Sequence, residues 1–320
     1  MCKASRKLRW FGTLAAGFVL ACYGVMVPAQ ETAPLLVAAS EPDIEAIVKE
    51  VGGNQVETFV LFKGCILQKH LAVEKEASGK LLKADAIAWT GFQPEAGAVR
   101  LAIGNVPNAE TRNNWHCEWI DVSKGAAQVD RAVSTGAGWC EGDYNEFTTH
   151  GDPFFRLNPE NGAVMARDIA EGLAKLRPAQ KAYFENNAET FAKGLGADIA
   201  KWKEALKPFA KTRILCSQCG WENFAKLAGL DLVVCKQKPG CCPTPEALVE
   251  HVKQLKVDMI FLDPHTFPKH AKALKEAPGF VVEDVPSSIG DLPGATSYAA
   301  IFENFINTLQ KHASKENEKR

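Results

Sequence analysis

Apolar and polar positions alternate along the chain in two rhythms, short apolar runs and longer stretches of helical period. Leu35-Leu36-Val37-Ala38-Ala39 reads as a short strand. Over residues 41–51, Ile44, Ile47, Val48 and Val51 fall on one helical face, and Gly52-Gly53 stops the helix. Residues 56–62 predict a strand, 64–70 a loop, 71–83 a helix and 86–89 a strand ending near Gly91. Strands alternating with helices predict a parallel sheet covered by helices. Residues 104–118 and 134–151, rich in Gly, Asn and Thr, read as loops. Residues 159–176 return to helical period, with Ala163, Ile169 and Leu173 inward.

From Pro178 to about Leu206 the helical pattern persists, carried by Tyr183, Phe184, Phe191, Leu195, Ile199 and Trp202. Such a stretch makes a rod of about 43 Å at about 1.5 Å per residue, the width of a domain. The first rhythm then resumes. Strands are expected at 213–215, 232–235, 259–262 and 280–282, and helices at 221–228, 245–255, 268–276 and 297–312. The predicted fold class is therefore α/β, with two lobes of parallel sheet covered by helices and bridged by one long α-helix. The expected boundaries are an N-terminal lobe over 30–177, a linking helix over 178–207, a C-terminal lobe over 208–312 and a charged, frayed tail over 313–320. Open α/β sheets bind ligands off the carboxyl ends of their strands. Both lobes can aim those ends at one shared cleft, so loops 63–70, 140–158, 215–221 and 283–294 are the ones to inspect.

Composition narrows the function classes. The 320 residues are 46% hydrophobic and 23% charged, ordinary globular usage that excludes a disordered, collagen-like or simple coiled-coil chain. The formal charge of −1 gives no basic surplus for a phosphate backbone, so nucleic-acid binding is not expected. Lys3, Arg6, Lys7 and Arg9 precede an apolar run over 11–21, which reads as a secretory signal over 1–29. Val27-Pro28-Ala29 suits a signal peptidase and predicts a soluble periplasmic or extracytoplasmic product. The alternative is Val19-Leu20-Ala21-Cys22, a lipobox-like stretch that would anchor the protein through an acylated Cys22. Removing 1–29 takes four cations and no anions from −1, leaving −5. Eight of the ten cysteines lie beyond Cys22, an even number that permits disulfides in an exported chain.

Several segments, in order, carry a resemblance. They are Val51-Gly52-Gly53-Asn54-Gln55-Val56-Glu57, Leu82-Lys83-Ala84-Asp85-Ala86, the stretch from Gly151-Asp152-Pro153-Phe154-Phe155-Arg156 to Leu157-Asn158-Pro159-Glu160-Asn161, and Ala182-Tyr183-Phe184-Glu185-Asn186-Asn187-Ala188. Together they resemble the periplasmic solute-binding proteins of zinc and manganese ABC transporters across nearly all of the chain beyond the signal. That family has two lobes on one backbone helix and holds one metal ion with four side chains. On this resemblance His70 takes the first ligand position and Asp284 the fourth. Phe154 stands at the second, where the family has His, and Gln218 at the third, where it has His or Glu.

A phenylalanine offers no lone pair, so replacements are sought nearby. Cys65 lies five residues before His70, His150 four before Phe154, and Cys216 and Cys219 bracket Gln218. Thiolate and imidazole favour zinc or another thiophilic transition metal over manganese. Each residue has a plainer reading as well. Cys216-Ser217-Gln218-Cys219 can be a disulfide with itself or with Cys235, Cys241 or Cys242. His70 and His150 can be solvated, and Asp284 can cap a turn before Pro286. Cys117 can pair with Cys140. His251, His265, His270 and His312 read as solvated.

The expected function is that of a metal-binding protein, not an enzyme, which takes a transition metal in the cleft as cargo. It would need no organic cofactor and would deliver the metal, as a monomer, to an ABC permease in the inner membrane. No Gly-x-Ser-x-Gly elbow, phosphate-loop lysine or His-Glu-x-x-His helix is present in the sequence. Two alternatives stay open. One is a thiol–disulfide redox protein using Cys216 and Cys219. The other is a degenerate binding protein that grips a metal chelate or other small ligand, with Phe154 and Trp139 lining the cleft.

Overall fold

The first half of the chain builds a sheet of four parallel strands, β1 Leu35–Ala39, β2 Val56–Val60, β3 Ala86–Trp89 and β4 Glu118–Asp121, in the order β2-β1-β3-β4. The second half builds another, β5 Arg213–Cys216, β6 Asp231–Val234, β7 Met259–Leu262 and β8 Val282–Asp284, in the order β6-β5-β7-β8. Each central strand carries branched and apolar residues on both faces, as a sheet covered on both sides requires. Ala38 and Ile87 in one sheet, and Leu215 and Ile260 in the other, are fully buried. The structure, a computed structural model, describes residues 33–62, 75–91, 99, 103, 116–126, 154–217, 220–234, 244–266 and 268–318. Pro34–Arg320 forms one compact unit.

Helices α1 Pro42–Gly52, α2 Lys75–Leu81 and α3 Pro159–Leu176 belong to the first lobe. In the second lobe lie α5 Trp221–Ala228, α6 Pro245–Leu255, α7 Pro268–Glu276 and α8 Tyr298–Glu318. Between the lobes runs α4 Lys181–Leu206, entered through a 3-10 turn at Pro178–Gln180. Its buried side chains, Phe184, Ala188, Leu195, Ile199, Trp202 and Leu206, recur every three, four or seven residues and form one stripe. That stripe is why a sequence with Gly194 and Gly196 still forms an unbroken rod of about 39 Å. One apolar cluster runs from Val37, Ile44 and Ile169 through Phe184 and Trp202 to Trp221, Phe302 and Phe305, so both lobes share a core.

Most expected elements are present within a residue or two, and three depart from the expectation. Residues 118–121, which lie at the end of the expected loop and in a stretch given no element, form the edge strand β4, where only Ile120 is buried. One buried residue in four is too little alternation to mark a strand. Strand β8 starts two residues later than expected, after Gly279 turns the chain at φ 87, and this makes Asp284 the last strand residue. Helix α8 continues to Glu318 through the segment expected to fray. Cys117 and Cys216 carry free thiols in this structure.

Candidate functional site

The carboxyl ends of the strands carry buried polar residues in both lobes. Ser40 and Glu41 follow β1, Thr90 follows β3, Ser217 follows β5 and Asp263 follows β7, and all are at most 2% exposed. Parallel strands end on one edge of their sheet, so the chain delivers these side chains together.

On the N-terminal side, Pro42 opens α1 and places Glu41 and Asp43 at its start. Arg156 Nε lies 3.2 Å from Glu41 Oε2 and 2.8 Å from Asp43 Oδ2, and all three side chains are buried. Asp43 Oδ1 accepts hydrogen bonds from the second lobe, from Ser288 Oγ at 3.0 Å and from the Ile289 N–H at 2.7 Å. Burial pushes the Asp43 carboxyl above its usual range, while Arg156 and these two donors pull it back.

On the C-terminal side, Ser217 Oγ accepts from the Asp263 N–H at 2.7 Å and shares a hydrogen bond with Thr266 Oγ1 at 2.8 Å. Asp263 Oδ1 accepts from the His265 N–H at 2.8 Å. His265 Nε2 lies 2.9 Å from Asp291 Oδ1, and Asp291 Oδ2 accepts from the Ser287 and Ser288 amides at 3.0 and 2.8 Å. The Asp291 hydrogen bond raises the His265 pKa, and the same contact helps hold the Asp291 carboxyl below the usual range against burial. Burial holds the Asp263 carboxyl above it.

Of the six candidate ligands, Asp284 is the one among the described residues; His70, Cys65, His150, Gln218 and Cys219 lie outside them, as does Trp139. Asp284 receives a hydrogen bond from Lys275 Nζ of α7 at 2.6 Å and is 41% exposed, separate from the buried polar groups at the strand ends. Among the described residues no three His, Cys, Asp or Glu side chains are placed to hold a metal ion.

Phe154 does not line an open cleft: it is 1% exposed and packs between the lobes. A Cβ built on Gly220, at the start of α5, would lie 2.4 Å from Phe154 Cβ and 2.7 Å from Leu157 Cδ1. Only glycine lets the two lobes approach so closely there. The Arg156 guanidinium sits 5.7 Å from the Phe154 ring centroid.

Cys216 is buried at the end of β5, and burial, aided by the nearby Asp263 charge, lifts its thiol well above the ordinary value. Cys117 is pushed up to about 12 by burial and by Asp85 and Glu118. A thiol nucleophile needs the opposite shift.

Sequence reading missed Asp43, Arg156, Asp263, His265 and Asp291. It also took three paired or buried histidines as solvated: His265 pairs with Asp291, His312 Nε2 lies 2.6 Å from Glu283 Oε1, and His270 is 9% exposed. Ser40-Glu41-Pro42-Asp43 right after an apolar strand was the available signal.

A family model described as zinc-uptake complex component A, periplasmic, matches residues 37–312, a span that includes both sheets and the linking helix. The chain belongs to this family. Family members are solute-binding proteins rather than enzymes. The high-affinity zinc uptake system protein ZnuA of Brucella suis is 26% identical over 172 residues, 51% of each chain, so the chain spans about half the length of the zinc-uptake relative it matches. The manganese ABC transporter substrate-binding lipoprotein PsaA of Streptococcus anginosus is 24% identical over 280 residues, 84% of this chain and 86% of the relative. Among solved structures, a zinc-bound ZnuA deletion mutant superposes with a TM-score of 0.66 at 18% identity, covering 86% of this chain and 96% of that one. The binding protein FpvC of Pseudomonas aeruginosa, solved with Mn2+, gives 0.65 at 17% identity over 90% and 100%. At these identities the superpositions establish the two-lobe fold. Among the described residues no helix is long and apolar enough to cross a membrane.

Proposed function

We propose that this chain is the extracytoplasmic solute-binding protein of a metal ABC transporter, taking a transition metal ion as cargo between its lobes and passing it to the permease, with zinc the favoured ion. The family match over residues 37–312 carries the reading. Relatives named for zinc and for manganese both occur, and the sulfur and imidazole donors of this chain tip the choice to zinc. The proposed ligand positions are His70 and Asp284, with Cys65, His150, Gln218 and Cys219 as replacements. Recruiting Asp284 means breaking its exposed pair with Lys275, a contact worth about 0–1 kcal/mol.

The redox alternative is not favoured, because Cys216 is buried and its thiol is hard to ionise. The metal-chelate alternative is not favoured either, because Phe154, which would line its cleft, is buried between the lobes. Elemental analysis of the natively purified chain, under reducing and under oxidising conditions, tests the first reading. Stoichiometric zinc is expected. Absence of any stoichiometric metal in both states would refute it, and thiol titration of the same samples separates ligand cysteines from disulfides.

A further inference from the structure

We propose that Arg156, Asp43 and the loop 287–291 form a built-in latch that holds the two lobes together without any ligand. Asp43 stands at the start of α1 in the first lobe and has no exposed surface. One of its carboxylate oxygens takes both Ser288 Oγ and the Ile289 N–H from the second lobe, and the other faces Arg156 Nε at 2.8 Å. Hydrogen bonds to an ionised acceptor are among the stronger ones. Arg156 is tied to the second lobe again, since its carbonyl accepts the Tyr298 hydroxyl at 2.5 Å.

The receiving loop cannot simply follow a departing lobe. Asp291 gathers the Ser287 and Ser288 amides and is itself held by His265, so the loop is anchored to the body of the second lobe. The ionisable groups that face Asp43 are Arg156 from the segment before α3, Asp291 from the loop and Tyr298 from α8; Glu41 shares the same guanidinium. Phe154 against Gly220 adds apolar contact to the same seam. A ligand shifts an open–closed equilibrium only by its preference for one state. The contacts across the seam are made by the chain's own groups, so they hold the lobes whether or not cargo is bound.

Amide hydrogen exchange of the full chain, with and without zinc ion, tests it. The Ile289 amide reports the contact across the lobes; the Ser287 and Ser288 amides report the anchoring inside one lobe. In metal-free protein all three are expected to be protected, and added zinc changes the Ile289 rate less than about twofold. Asp43→Ala is expected to speed Ile289 exchange about tenfold, the equivalent of about 1.4 kcal/mol, while Ser287 and Ser288 keep their protection. Ser288→Ala removes one hydroxyl from the same loop and gives a smaller acceleration of Ile289, which serves should Asp43→Ala not fold. Fast Ile289 exchange in the metal-free wild type, whether or not zinc slows it, overturns the latch, and so does an Ile289 rate unchanged in the variants. The metal-free measurements decide the matter even if the chain takes up no zinc.

Discussion

The first lobe orders its strands β2-β1-β3-β4 and the second β6-β5-β7-β8, the same order in each half, yet the two halves neutralise the charge at their strand ends differently. In the first, Glu41 and Asp43 share the permanently charged Arg156, and the three groups are buried together. In the second, Asp263 and Asp291 face His265, a cation only when protonated. One topology thus carries an acidic pair with a fixed counter-ion in one lobe and with a titratable one in the other.

The largest way to break this comparison is to remove the fixed counter-ion. Arg156→Met is expected to cost about 3–5 kcal/mol, because it leaves two buried carboxylates without their cation. Urea denaturation measures it, and a loss below 1 kcal/mol would mean that Arg156 does not hold the first lobe's charge. Next comes the seam itself. Gly220→Ala drives a methyl into Phe154 Cβ, which cannot swing aside as a side-chain tip could, and is expected to cost about 1–3 kcal/mol in the same assay.

The titratable half is sharpened by pH. The folded pKa of His265 is raised from 6.5, so its stabilisation is complete below that value and disappears as pH rises through the folded pKa. The folded pKa of Asp291 is lowered from 3.8, so its share is present above that value and disappears as pH falls through the folded pKa. The pair therefore contributes most between about pH 4 and 6.5, on the order of 1 kcal/mol for a partly buried pair. His265→Gln should flatten that part of the stability profile, and an unchanged profile would remove His265 from the account. Smallest is Lys275→Ala, expected to move stability by at most about 0.5 kcal/mol, because its pair with Asp284 is exposed.

Much of the fold was legible because periodicity records burial. Helix Pro159–Leu176 and strand Met259–Leu262 appear where the pattern puts them, since their apolar positions face the core. The edge strand β4 was not legible, because an edge buries too little to leave a pattern. At the strand ends, the resemblance directed attention to His70, Phe154 and Asp284, but the buried network rests on partners 245 and 246 residues apart in sequence, Asp43 with Ser288 and Ile289. Nothing local in the sequence announces such a pairing. Asp291 illustrates the same limit: its chemistry is ordinary until the fold sets it 2.9 Å from His265.

The central claim, a cation carried between the lobes, is tested most directly by titrating zinc into the metal-free full chain while following thermal unfolding. Preferential binding to the folded state must raise the Tm, and zinc at about a hundredfold above its Kd adds about 2.7 kcal/mol. The account predicts a rise that saturates once each chain has taken up stoichiometric zinc. A Tm that stays level across the whole titration would contradict it.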